Sequence, residues 1–423
     1  MITDEDLDKL GARPLTAWDR VKAVGIAAAY PLIFLFQLAK YFVPSHPQYD
    51  FHWRQKAMLA SIRSAITFQG EKRIGWAAGH ATSTNDRVRD FATKHKDIKH
   101  REVSVSINPA VAADNPATGS AMPQPTLHFL SGPWITGEAD SDRGNTGPVI
   151  FYSHGGGYLD PIIPGAHIPL AQSMAKACGA REVVFISYAL CPDVQYPAQL
   201  VQIVESMRFL LEKEAIPPED LILAGDSAGA HMMASLMAHM VEPAPYVPPL
   251  APALRGGQLR AAVLLSPWFT WTDAASIGTN PCDYLEGPHA AHLVGVLRPK
   301  VEDVWCEIVA APGAREVWAR VFATSGGSGD ERPLVKRMLV TASDSEIMYR
   351  DARVFAVEYA GAVSVLVGAG EAETQLATVR TEPRVFAVGR RETHVQAGLD
   401  EAVKYYGGGT WRALQVFMSS LQD

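Results

Sequence analysis

Two short glycine-rich stretches carry the residue types that acyl chemistry needs. The first is LILAGDSAGAHM, residues 221–232. An apolar run passes into Gly225-Asp226-Ser227-Ala228-Gly229 and then into a helix-like segment, which is G-x-S-x-G in its strand–turn–helix setting. A serine on such a sharp turn projects its hydroxyl above the sheet. Side chains two residues to either side would strike neighbouring backbone, so Gly225 and Gly229 are small for a steric reason. The helix that follows aims its positive end at the hydroxyl. The competing reading is an ordinary strand-to-helix turn. The second stretch is His154-Gly155-Gly156-Gly157-Tyr158. Consecutive glycines let backbone amides approach a reacting carbonyl and hold the negative oxygen formed during attack. Gly156 and Gly157 are the candidate donors, joined by the amide of Ala228. A phosphate-binding loop is the rival, but neither G-x-x-x-x-G-K-[ST] nor G-x-G-x-x-G follows. His154 reads as a brace for the loop rather than a base.

These motifs need a rigid platform. Apolar runs at 148–154, 182–188, 221–227, 261–267, 337–343 and 384–389 alternate with helix-like stretches such as 165–178, 197–213 and 228–241. Continuous apolar strands separated by helices predict a parallel sheet covered on both faces, an α/β architecture. Strand patterns also start at Glu102 and Thr126. Polar or Pro-rich stretches at 108–125 and 137–147 read as loops. Insertions are expected at 242–258, about 272–332 and 362–383, within a catalytic domain spanning 101–423. Residues 1–100 read as a helical N-terminal region.

Composition narrows the function classes. The 423 residues are 48% hydrophobic and 20% charged, with a formal net charge of −7. That mild acidic excess gives no reason to expect a nucleic-acid partner. Cys178, Cys191, Cys282 and Cys306 are scattered, with no metal-ligand spacing; buried thiols are expected, with a Cys282–Cys306 bridge as the alternative. Neither metal nor organic cofactor is implied. From Ala23 to Ala39 the chain carries no charge, and continuing past Lys40 to Val43 gives about the length of a bilayer crossing. A membrane anchor or interfacial helix, a buried cap helix interrupted at Tyr30-Pro31, and a cleaved signal are the three readings. Membrane association, at the endoplasmic reticulum, is the expectation; a cytoplasmic protein is the alternative. Oligomeric state is not encoded legibly.

HGGGY followed by GDSAG resembles the hormone-sensitive-lipase-like branch of α/β-hydrolases. SYALCPDVQYPAQL (187–200) and SPWFTWTD (266–273) are similar to two further segments of that branch. The resemblance covers about residues 100–423. It implies an α/β-hydrolase core with a helical cap, and hydrolysis of carboxylic esters with short or medium acyl chains on hydrophobic alcohols, lipid or sterol acetates among them. It also implies the order Ser–acid–His, with Ser227 as nucleophile. His394, the last histidine in the chain, is then the base. For the acid, Glu346 stands three residues after Ser343, where the pattern places a carboxylate, and Asp344 is the alternative. Arg350 departs from the usual acidic residue there, and Asp351 reads as structural. An amidase or xenobiotic esterase with the same triad is a second reading. A non-catalytic ligand receptor on this fold is a third, although such receptors lose the histidine.

Overall fold

The computed structural model describes residues 17–67, 82–107, 122–132, 134, 147–271, 280–324, 332–368 and 373–422. Its strands are β1 (Lys99–Ser104), β2 (Thr126–Ser131), β3 (Val149–Ser153), β4 (Glu182–Ser187), β5 (Leu221–Asp226), β6 (Leu259–Leu265), β7 (Val335–Ser343), β8 (Val363–Val367) and β9 (Arg384–Gly389). They form one sheet in the order β1-β2-β4-β3-β5-β6-β7-β9-β8. β1 and β2 run antiparallel to their neighbours, and the strands from β4 to β8 across the sheet pair in parallel.

The helices used below are α1 (Ala17–Lys40), α2 (Trp53–Thr67), α3 (Thr84–Lys94), α4 (Pro164–Cys178), α5 (Ala198–Glu212), α6 (Ala228–Val241), α7 (Gly287–Leu297), α8 (Ala314–Phe322), α9 (Glu373–Thr381), α10 (Gln396–Ala402) and α11 (Gly409–Ser419). Alternation along each strand divides the core into two layers. Leu221 and Leu223 of β5 face the layer built on α5, α6 and α8. Ile222 and Ala224 face the layer built on α4 and α11. Both faces are therefore covered, which is why the central strands read as unbroken apolar runs.

The expected parallel α/β sheet is present, with most boundaries displaced by one or two residues. Three differences matter. β1 begins at Lys99, before the expected Glu102. Segment 362–383 is more than an insertion: it supplies strand β8 and helix α9. β8 lies at the sheet edge, with Val363 and Ser364 exposed, so it lacks the apolar continuity of its neighbours. The alternative Cys282–Cys306 bridge does not form; all four cysteines are free and buried. The expected loops at 108–125 and 137–147 and the helical reading beyond Thr67 to His80 fall largely outside the described residues.

Candidate active site

β5 ends at Asp226, and Ser227 takes φ 51° and ψ −120° before α6 begins at Ala228. This left-handed backbone is costly for a residue with a Cβ and persists only where its surroundings impose it. Here they do. The Ser227 amide donates to Leu265 O at 2.8 Å, and its carbonyl accepts His231 N at 3.1 Å. A Cβ on Gly225 would stand 2.6 Å from the Gly229 carbonyl carbon, and one on Gly229 would overlap the Ser153 carbonyl. Both glycines are thus required by close approach, as the motif predicts.

The glycine loop follows β3. Gly156 (φ 107°) and Gly157 (φ 61°) occupy backbone that favours glycine. Its position is fixed from Asp226, whose Oδ1 accepts from Gly155 N (3.1 Å) and from the Tyr152 hydroxyl (2.7 Å). His167 Nε2 lies 3.3 Å from Asp226 Oδ2. Burial alone would raise the Asp226 carboxyl, but His167 and the Tyr152 hydrogen bond outweigh it and hold it below the usual range. His154 braces the loop from inside. Its Nδ1 donates to Gly155 O at 2.6 Å, and its ring stacks on Tyr188 at 4.6 Å. Burial lowers its pKa to about 3, so it stays neutral.

His394 lies beyond β9, on the loop leading to α10. Its Nδ1 is 3.6 Å from Glu346 Oε2, and both side chains are buried. That separation is just over hydrogen-bond length, and such contacts are commonly loose without substrate. Ser266 links the two loops: its hydroxyl donates to Glu346 Oε2 at 2.9 Å and accepts Val395 N at 2.9 Å. Burial would lower the His394 imidazole, but the Glu346 carboxylate, with Asp283 and Asp226 farther away, more than offsets this and the net shift is upward. Asp344 is placed differently. It is exposed, and its Oδ1 accepts Arg391 N at 2.7 Å. It therefore pins the turn after β9 rather than facing the imidazole.

A cavity of about 330 Å³ opens over these groups. Ser227, His394, Gly155, Gly156 and Gly157 line its floor, and Ile62, Leu170, Trp268, Leu285, Leu293 and Leu399 are among its apolar walls. Leu293 of α7 presses on Gly157, where a Cβ would come within 2.6 Å of its Cδ1. Ile62 and Ala65 belong to α2, so the N-terminal region forms part of the wall. Away from the cavity, His100, Glu102 and His128 bring ligand atoms within 4.8 Å of one another. Arg89 already engages both Glu102 oxygens there, at 2.8 and 3.0 Å.

A serine on a strained strand-to-helix turn, a glycine loop and a histidine–carboxylate pair, each following a parallel strand, form a family pattern, and the sequence profile of α/β-hydrolase-fold proteins matches residues 150–374. The chain belongs to the α/β-hydrolase family. The pairing of HGGG with GDSAG agrees with its hormone-sensitive-lipase-like branch. His394 falls after the matched span.

Curated relatives agree at a distance. An acetyl-hydrolase of Streptomyces hygroscopicus is 32% identical over 122 residues, which is 29% of this chain and 36% of that protein. Neutral cholesterol ester hydrolase 1 of Mus musculus is 30% identical over 93 residues, 21% of this chain and 22% of the relative. Arylacetamide deacetylase of Oryctolagus cuniculus is 27% identical over 101 residues, covering 22% and 25%. The alignments span about a third or less of these relatives. Among solved structures, carboxyl esterase 2 of Tuber melanosporum superposes with a TM-score of 0.51 at 15% identity, covering 77% of this chain and 87% of that one. Esterase LipW of Mycobacterium marinum gives 0.51 at 16% identity, covering 86% and 95%. Both share the fold of this α/β-hydrolase.

The sequence singled out no role for Asp283, Ser266 or His167. Ser266 stands in the SPW segment, so a signal existed for it. Asp283 lies in a long insertion and His167 in the first turn of α4, and neither position carries a pattern that marks chemistry.

Proposed function

We propose that this α/β-hydrolase cleaves carboxylic esters through a covalent acyl-enzyme. One observation carries the reading: the Ser227 elbow and the His394 imidazole, backed by Glu346, line one apolar cavity floored by the glycine loop. His394 Nε2 takes the hydroxyl proton as Ser227 Oγ attacks the ester carbonyl. The amides of Gly156, Gly157 and Ala228 hold the oxyanion. The tetrahedral intermediate collapses, the C–O bond to the alcohol breaks, and His394 returns the proton to the leaving oxygen. Water, deprotonated by His394, then attacks the acyl-enzyme and releases the acid and Ser227. Glu346 fixes the imidazole and stabilises its charged form; it remains ionised throughout.

The walls argue for an apolar substrate. A cavity of this size, lined by Leu, Ile and Trp side chains, suits a short or medium acyl group on a hydrophobic alcohol. Lipid and sterol acetates belong to that class, and of two similar proteins one is named an acetyl-hydrolase and the other a neutral cholesterol ester hydrolase. Membrane association through α1 fits a substrate drawn from lipid. An amidase or xenobiotic esterase is the second reading, favoured by similarity to an arylacetamide deacetylase. A receptor is disfavoured by the presence of His394.

A series of p-nitrophenyl esters from acetate to palmitate tests the proposal, with matched anilides alongside. Activity is expected to peak at short or medium acyl length and to vanish in Ser227→Ala. Turnover that survives the Ala substitution, or anilide rates above ester rates, would reject it.

A further inference from the structure

α1 is apolar enough to cross a bilayer over Arg20–Lys40, and none of its apolar window is buried. Its outward residues include Val24 (71% exposed), Leu32 (72%) and Phe36 (63%), continued beyond the helix by Phe42, Val43, Tyr49 and Trp53. By length alone this reads as a transmembrane anchor. The packing argues against that.

From Tyr30 onward, α1 is fastened to α2. The Tyr30 hydroxyl donates to Ser61 O at 3.1 Å and lies 2.9 Å from Ser61 Oγ. Phe34 and Leu38 pack on a small core of Tyr41, Leu59 and Ala60. α2 is bound in turn to the catalytic domain. Gln55 donates to Asp400 at 2.7 Å and Arg63 to Pro281 O at 2.8 Å, and Gln48, in the turn before α2, donates to Cys282 O at 3.0 Å. The second half of α1 is therefore tied to the folded domain through α2. Ahead of Tyr30, Ala17–Ala29 give about 20 Å of helix at 1.5 Å per residue, against a hydrocarbon core of about 30 Å. That stretch includes Arg20 and Lys22, and residues 1–14 add six charged side chains and Pro14, so the apolar run does not extend upstream.

We infer that α1 does not cross the bilayer but lies in the plane of one leaflet. Its outer face of Val24, Leu32, Leu35 and Phe36 sits among acyl chains, and Arg20, Lys22, Lys40 and Arg54 lie at the level of anionic headgroups. Trp18, Tyr49 and Trp53, all exposed, suit the same interfacial depth. The occupant is thus an anionic lipid surface. The inference rests on the membrane association proposed above and gives it a geometry. Both ends of α1 and the catalytic domain stay on one side, and α2 touches α1 with one face while lending Ile62 and Ala65 to the cavity wall with another. Ester substrate would then meet the cavity beside the leaflet that dissolves it.

The test uses the full chain added to preformed vesicles of phosphatidylcholine and phosphatidylglycerol in equal parts. The native cysteines are buried, so Asp4→Cys and Lys213→Cys each introduce one reactive thiol. In floated vesicles a membrane-impermeant maleimide should label both positions to the same extent before detergent. Labelling at position 4 that needs detergent would mean a crossing helix and overturn the inference. Leu32→Asp with Phe36→Asp should lower flotation at least tenfold while p-nitrophenyl acetate turnover stays within twofold. Failure of the wild type to float overturns the inference as well, and a dimer lost in the double variant would then assign this face to a second copy of the chain. Labelling and flotation need no turnover, so a failed esterase reading would leave their outcome interpretable.

Discussion

The Asp283 carboxylate holds the backbone of His394: its Oδ1 accepts the His394 N–H at 3.3 Å. The same oxygen accepts from the Thr393 hydroxyl and Leu285 N, both at 3.1 Å, while Oδ2 accepts Ile347 N at 2.8 Å. One fully buried side chain from the segment after β6 thus ties the loop carrying Glu346 to the loop carrying His394. The expected consequence is that Asp283→Asn, with only one acceptor oxygen, lowers kcat about 10- to 100-fold with little change in KM, because the two loops lose registration. Steady-state kinetics on a short-chain ester checks this; an unchanged kcat would show that the loops hold their geometry without it.

Glu346 and Asp344 are separated by their surroundings. Glu346→Gln should remove the group that orients and stabilises His394 and lower kcat by roughly 10⁴-fold, the scale seen when a triad carboxylate becomes an amide. Asp344→Asn should stay within a few-fold of wild type, since its carboxylate is exposed and bonded to Arg391 N. The opposite ranking would transfer the acid role to Asp344.

The pH dependence follows from the raised His394. As the proposed base, His394 works only when neutral, so activity should be lost as pH falls through its folded-state pKa. Glu346, Asp283 and Asp226 outweigh burial and stabilise the imidazolium, so the acid limb of kcat/KM should lie above the ordinary histidine value of about 6.5. In Glu346→Gln the residual activity should show that limb at lower pH. A limb that stays put in the variant would separate His394 from Glu346.

Gly229→Ala tests the elbow as structure. The added methyl would collide with the Ser153 carbonyl, forcing β3 and α6 apart. The expected cost is about 1–3 kcal/mol of stability, read from denaturant midpoints, together with loss of turnover. A midpoint equal to wild type would mean that the turn is looser than drawn.

The chemistry-bearing motifs were legible because sterics leave few residues able to occupy their backbone. Ser227, Gly225, Gly229 and the HGGG loop all stand where their patterns put them, and the strands buried on both faces announced themselves as apolar runs. β8 was missed for the complementary reason: an edge strand with exposed Val363 and Ser364 need not be continuously apolar. The rank of Glu346 over Asp344 rested on resemblance, and in the fold it depends on a bend after β7 that buries one carboxylate and exposes the other two residues away. Asp283 and Ser266 act on backbone amides and on a neighbouring carboxylate across long sequence separations. Such contacts leave no periodicity for a sequence to display.

The most direct measurement is intact-protein mass spectrometry after treatment with a fluorophosphonate probe, which reports an activated serine without needing the natural substrate. Wild-type protein is expected to gain one phosphonyl group, mapped to the peptide containing Ser227. Ser227→Ala is expected to gain none, and His394→Ala to react at least a hundredfold more slowly. Modification of another serine, or equal labelling of wild type and Ser227→Ala, would contradict the account.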